Sequence, residues 1–116
     1  MTATKMVVVQ ARIRMLDTAE GGRRTPFITG YRPHFVFNAA HGRDGQITLL
    51  DREQMEPGEQ GNVTIRFLIH SRNPYPHPPA ADDLFLIQEG GRILGEGIIR
   101  HVVEVIEFEP EEVVTA

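Results

Sequence analysis

Apolar and polar residues alternate with a period of two over most of the chain. The clearest run spans residues 62–70, and its apolar face consists of Val63, Ile65, Phe67 and Ile69. Such alternation is typical of a strand that buries one face against a core. No window of about 11 residues has an apolar stripe at helical spacing. The alternation, with short runs of β-branched residues, predicts six strands, at 7–15, 34–39, 46–50, 62–70, 84–88 and 93–107.

Glycine clusters separate these strands. The tetrapeptide Glu-Gly-Gly-Arg occurs twice, at 20–23 and 89–92, and the Gly-Arg-Asp-Gly sequence at 42–45 predicts a hairpin turn. Gly95 and Gly97 interrupt the last strand, which predicts a bend or a bulge where a barrel closes. Six strands with short turns and no helix predict an antiparallel β-barrel or sandwich.

The length of 116 residues and the 41% apolar content indicate a single globular domain. The absence of cysteine excludes disulfides and cysteine zinc sites. No apolar run approaches the ~18 residues of a membrane helix, so we expect a cytoplasmic protein without a membrane partner. We expect an N-terminal extension at 1–5, one barrel domain at 6–106 with a Pro-rich loop insertion at 71–83, and an acidic tail at 107–116.

The formal net charge of −4 is unevenly distributed. Residues 1–58 carry eight Lys or Arg against six Asp or Glu, whereas residues 59–116 carry four against ten. Much of this acidity lies between Glu104 and Glu112, near the C-terminus. The net charge therefore does not exclude a basic binding surface on the body of the domain.

No residues form a recognisable catalytic or metal-binding motif. His41, His70 and His101 lie in different elements and lack the spacing of a zinc-ligand pair. Ser71 is the only serine, and the only lysine, Lys5, has no glycine loop before it, so the phosphate loop of a GTPase is absent. We therefore expect no catalytic residue, metal, cofactor or small-molecule substrate.

Several motifs resemble a known family. They are Gly21-Gly22-Arg23-Arg24-Thr25-Pro26-Phe27, Gly30-Tyr31-Arg32-Pro33, Pro57-Gly58, Leu68-Ile69-His70, and Glu89-Gly90-Gly91-Arg92 followed by Gly95 and Gly97. In this order and spacing they resemble the C-terminal (third) domain of translation elongation factor Tu, from about residue 5 to about residue 105. The resemblance implies an all-β fold, a six-stranded antiparallel closed β-barrel of Greek-key type.

The resemblance also implies a function. In that family the barrel is not the catalyst: it packs against a GTPase domain, contacts the exchange factor Ts and holds the T-stem of aminoacyl-tRNA. For this chain it implies a non-catalytic binding module whose partner is tRNA or a translation-factor protein. Two alternatives stay open: a protein-interaction module that acts as a decoy or regulator, and a missing domain of a separate GTPase.

The family's functional residues carry over position by position. The resemblance assigns RNA binding to Glu89, Gly90 and Gly91, to His34 in place of a family glutamine, and to Arg43 near a family threonine. It assigns partner docking to Gly21, Arg23, Arg24 and Arg32. Two arginines of the family are absent, replaced by Leu84 and Gln88.

Overall fold

The computed structural model describes residues 4–38, 41–70 and 78–108. These residues form strands and no helix, so none of them belongs to a helix long and apolar enough to cross a membrane. The strands are β1 (Thr4–Met15), β2 (Phe27–Ile28), β3 (His34–Asn38), β4 (His41–Leu49), β5 (Gln54–Met55), β6 (Gln60–His70), β7 (Leu84–Glu89) and β8 (Arg92–Phe108).

Six of these strands close into a barrel in the order β1-β6-β4-β3-β7-β8, with every neighbouring pair antiparallel. The all-β, six-stranded antiparallel closed barrel expected from the sequence is therefore confirmed. At one end of the barrel Thr4 pairs with both His70 of β6 and Phe108 of β8. β1 and β8 therefore extend beyond the range 6–106 that the sequence predicts for the barrel. Residues 1–3 of the predicted extension, 71–77 of the predicted Pro-rich loop and 109–116 of the predicted tail lie outside the described residues.

The barrel interior is narrow and is filled at one level by phenylalanine rings. Phe35 meets Phe67 edge-on at 5.3 Å between ring centroids and Phe85 at 5.4 Å. These rings leave no space for a side chain on the strands they face. A Cβ at Gly45 would lie 2.7 Å from the Phe67 ring, and a Cβ at Gly97 would lie 2.4 Å from the Phe85 ring. Glycine is thus required at both positions by the close approach of a ring to the backbone.

The hairpin turn expected at 42–45 is not where the chain turns. These residues belong to β4, where Arg43 is opposite Phe35 and Asp44 is opposite His34. The glycines that suggested a turn have a packing role instead, since Gly45 faces the rings and a Cβ at Gly42 would lie 2.0 Å from the His34 ring. The prediction of a turn at this position was wrong because glycine marks close packing as well as turns.

The last strand has a bulge beside Gly95, as its glycines predict. In the pairing of β7 with β8 the register shifts between Ile87 and Gln88, which are opposite Gly95 and Ile93. Leu94 is the extra residue of this bulge and is buried. Two further shifts occur between β8 and β1. Such bulges increase the local twist that a closed barrel needs.

A two-stranded sheet, which the alternation did not predict, covers one end of the barrel. Phe27 of β2 pairs with Met55 of β5, and both side chains are buried. The strands are only two residues long, too short for a period of two to be visible. These strands place the side chains of Phe27 and Met55 in the hydrophobic core.

The fold predicts unequal costs for neighbouring positions in β6. Phe67→Ala removes a fully buried ring, and we expect it to lower the free energy of unfolding by about 3–5 kcal/mol. Leu68→Ala is the matched control, because Leu68 faces outward with 49% of its surface exposed, and we expect a change within about 0.5 kcal/mol. Urea unfolding of the two variants measures both. Equal losses would contradict the assigned faces of β6.

Candidate functional site

Two turns with the sequence Glu-Gly-Gly-Arg lie next to each other. The first, residues 20–23, follows β1, and the second, residues 89–92, connects β7 with β8. Gly90 and Gly91 have φ values of 55° and 81°, which favour glycine. Gly22 is required for a different reason, since a Cβ there would lie 2.1 Å from the carbonyl oxygen of Leu16. Glycine therefore allows a tight backbone in both turns.

The arginine of each turn binds the other turn. Nη1 of Arg23 donates a hydrogen bond to Oε2 of Glu89, with which it also forms an ion pair. Nη2 of Arg92 donates to the carbonyl oxygen of Gly21 at 2.8 Å. These contacts join turns that are far apart in sequence into one surface. We call it the paired-turn surface; it consists of Gly21, Gly22, Arg23, Arg24, Thr25, Glu89, Gly90, Gly91 and Arg92.

Tyr31 connects this surface to the core. Its ring is 4.5 Å from the buried Phe27 ring, measured between centroids, and the guanidinium carbon of Arg23 lies 4.7 Å from the Tyr31 centroid. The Tyr31 hydroxyl donates a hydrogen bond to the same Oε2 of Glu89 that Arg23 binds. Burial, together with the Glu89 carboxylate, raises the pKa of Tyr31. The hydroxyl therefore remains a donor at neutral pH.

The paired-turn surface is concave and predominantly basic. The side chains of Arg23, Arg24 and Arg92 line the concavity, together with Thr25, and Glu89 is the only carboxylate among the described residues that line it. Gly90 also lines it, and neither Gly90 nor Gly91 has an atom within 4 Å of where a Cβ would be. Guanidinium groups next to accessible backbone can hold a carboxylate or a phosphate. The arrangement can therefore bind an anion.

Comparison with known families agrees with this barrel and its turns. The model of the family described as "Elongation factor Tu C-terminal domain" matches residues 2–103 of the 116. The chain belongs to this family. It is thus a translation-factor-related domain, and the elongation factor Tu C-terminal domain is non-catalytic. Within the part of the chain that the structure describes, no three His, Asp or Glu side chains are grouped as a metal site requires.

Most of the residues that the family resemblance assigns to RNA lie on or next to the paired-turn surface. Glu89, Gly90 and Gly91 form the second turn itself. His34 begins β3, where it is opposite Gln88, the residue before Glu89. Nδ1 of His34 lies 3.0 Å from a carboxylate oxygen of Asp44, so its ring is held on the outer side of the sheet.

Arg43 lies apart from this group. It is opposite Phe35 in the register of β3 and β4, and directly opposed residues share a face of a sheet. Its guanidinium carbon is 5.9 Å from the centroid of Phe37, and burial lowers the pKa of Arg43. The side chain is half-buried over an aromatic ring rather than extended into solvent.

The residues assigned to partner docking overlap with the same surface. Gly21, Arg23 and Arg24 belong to the first turn, and the exposed Arg32 follows Tyr31 in sequence. The two sets, which the sequence assigned separately, are thus largely contiguous. Sequence reasoning missed the site contacts of Tyr31 and Arg92. The repetition of Glu-Gly-Gly-Arg was the available signal, but the two contacts differ, since Arg23 binds the Glu89 carboxylate and Arg92 the Gly21 carbonyl.

A second surface lies on the outside of β3, β7 and β8. Leu86 is opposite Val36 on one side, and Leu84 is opposite Ile98 on the other. Leu84 is 67% exposed, and the remaining three are partly exposed. We call these four residues the outer apolar face. Arg12 and Arg14 of β1 and Glu96 of β8 border it, and Arg14 forms an ion pair with Glu96 at 3.1 Å.

The placement of Arg43 predicts a role in stability. Arg43→Ala removes the methylene and guanidinium packing over Phe37, and we expect a loss of about 1 kcal/mol in the free energy of unfolding. Arg32→Ala, at an exposed arginine, should change it by less than about 0.5 kcal/mol. Urea unfolding measures both variants. An Arg43 variant with unchanged stability and weakened RNA binding would instead make Arg43 a ligand contact.

Proposed function

We propose that this barrel is a non-catalytic binding module of the translation apparatus that holds the phosphate backbone of tRNA on its paired-turn surface. The observation that carries the proposal is the reciprocal contact between the two Gly-Gly-Arg turns, which brings Arg23, Arg24 and Arg92 into one concavity. Family membership supports a translation-related role. The guanidinium groups contact phosphates, and the backbone at Gly90 and Gly91 allows the RNA a close approach.

Charge distribution supports the same proposal. The whole chain is acidic, yet three arginines and one glutamate line this concavity. A nucleic-acid backbone experiences the local charge within a Debye length of about 8–10 Å rather than the net charge of the chain. His34, exposed beside this surface, extends the polar contact area, and Arg32 adds positive charge nearby.

Titration of the purified protein with bulk tRNA, aminoacylated and not, tests this function. If about three phosphates are contacted, log K should fall with log salt at a slope of about −3 between about 20 and 200 mM salt. Arg24→Ala should reduce that slope by about 0.9, because one phosphate contact is lost. Fluorescence anisotropy of labelled tRNA gives the affinities.

Arg100→Ala is the control for general charge, since Arg100 is an exposed arginine of β8 beyond the β7 pairing. The slope of log K against log salt for the Arg100→Ala variant should stay near that of the unchanged protein. Absence of saturable binding at low salt, or equal slopes for the Arg24 and Arg100 variants, would contradict the proposal.

The outer apolar face favours a second candidate function, a protein-interaction module that regulates or completes a GTPase lacking this barrel. Exposed Leu84, in a position where the family has arginine, makes the face more apolar. Contiguous exposed apolar side chains with a charged border are typical of protein interfaces. A GTPase domain that docks here would cover Leu84, Leu86 and Ile98 and leave the paired-turn surface accessible.

Leu84→Lys tests this candidate by placing a charge in the apolar face. We expect the variant to lose at least tenfold in affinity for such a GTPase, measured by calorimetry after recovery from RNase-treated lysate. Ile28→Lys is the matched control, because Ile28 is 64% exposed but lies in β2, away from the face. Equal affinities of the two variants would remove the basis for docking at this face.

A further inference from the structure

The Glu89 carboxylate is bound in the way that a ligand phosphate would be. Its Oε2 accepts hydrogen bonds from Nη1 of Arg23 and from the hydroxyl of Tyr31. One anionic oxygen thus satisfies two converging donors, the arrangement in which guanidinium and hydroxyl groups commonly hold a phosphate oxygen. The Tyr31 ring packs against the guanidinium of Arg23, so the position of Arg23 does not depend on Glu89 alone.

Glu89 lies on the solvent side of the group it binds. Its side chain is 43% exposed, whereas that of Arg23 is 22% exposed. Glu89 is also the last residue of β7, directly before Gly90 and Gly91 in the turn. A ligand that approaches from solvent therefore meets the carboxylate before it reaches the guanidinium of Arg23.

We propose that Glu89 is an internal competitor for the anion site of Arg23 and Tyr31, displaced when a phosphodiester backbone binds. This inference rests on the proposed function and specifies how its site selects a ligand. The bound phosphate takes over the hydrogen bonds from Arg23 and Tyr31, and the Glu89 side chain rotates into solvent. No covalent bond changes.

Competition by a tethered carboxylate sets which anions can bind. Glu89 is present at the high effective concentration of an intramolecular group, so the binding free energy of a single small anion is too small to displace it. A polyanion also contacts Arg24 and Arg92, which line the same concavity, and these additional contacts supply enough binding free energy to displace Glu89. Glu89 therefore favours a continuous phosphate backbone over free phosphate, and it acts as a specificity-determining residue.

This role reverses the effect expected for Glu89 as a direct RNA contact. If Glu89 competes, Glu89→Gln should bind bulk tRNA about fivefold more tightly, because Arg23 no longer has to release a carboxylate before it contacts the phosphate. The salt slope should change little, since Arg23 contacts the same phosphate in both complexes. Inorganic phosphate should also compete measurably with tRNA for the variant. If Glu89 is a direct contact, the same substitution weakens binding.

Glutamine keeps the shape of Glu89 and can still accept the hydrogen bond from Tyr31, so the variant should fold, which a thermal melt checks. Glu96→Gln is the control, since Glu96 is also a glutamate paired with an arginine, Arg14, but on the outside of β8. It removes the same charge at a different place. Equal gains in affinity for the two variants would overturn the proposal, and so would weaker binding by the Glu89 variant.

Retention on a heparin column separates this inference from the proposed function. If neither the unchanged protein nor Glu89→Gln binds tRNA, the proposed function fails. Longer retention of Glu89→Gln than of Glu96→Gln would then still support competition at Arg23, because heparin is a polyanion that is not RNA. Equal retention would overturn it.

Discussion

The narrow interior of a six-stranded barrel is the constraint on which the rest of this structure depends. Closing only six strands leaves little room inside, and at one level Phe35, Phe67 and Phe85 fill it, with Phe35 edge-on to the other two rings. The backbone next to these rings must be glycine, at Gly45 and Gly97. The aromatic cluster therefore restricts which residues of β4 and β8 can face these rings. A fold with a wider interior would tolerate side chains at these positions.

The paired-turn surface depends on that closure. Its two turns belong to segments that meet because β1 and β8 pair over nearly their whole length. Within the surface, the Phe27–Tyr31 contact extends the core outward to the guanidinium of Arg23. The Arg23 guanidinium is thus positioned by packing against Tyr31 as well as by its ion pair with Glu89. The same barrel thus carries two exposed features, a basic concavity at the turns and an apolar face on the outside of β3, β7 and β8.

Much of the barrel could be predicted from alternation, because burying one face of a strand imposes a period of two that is visible in the 62–70 run. The same rule could not identify β2 and β5, which are too short to show a period. Gly42–Gly45 was misassigned because a glycine beside a ring and a glycine in a turn look alike in sequence. The sequence predicted which residues form most of the site, but not which contacts they make with one another. Nothing local in Arg92 indicates that it binds the carbonyl of Gly21, since this contact exists only after distant strands have paired.

The hydrogen bonds between the two turns tie the paired-turn surface to the longest ladder of the fold. Arg92 and Gly21 lie just beyond the point where β1 and β8 part, so opening of that end separates the two halves of the surface. Fraying that starts at this end of the ladder would therefore remove the basic concavity while the aromatic layer stays packed.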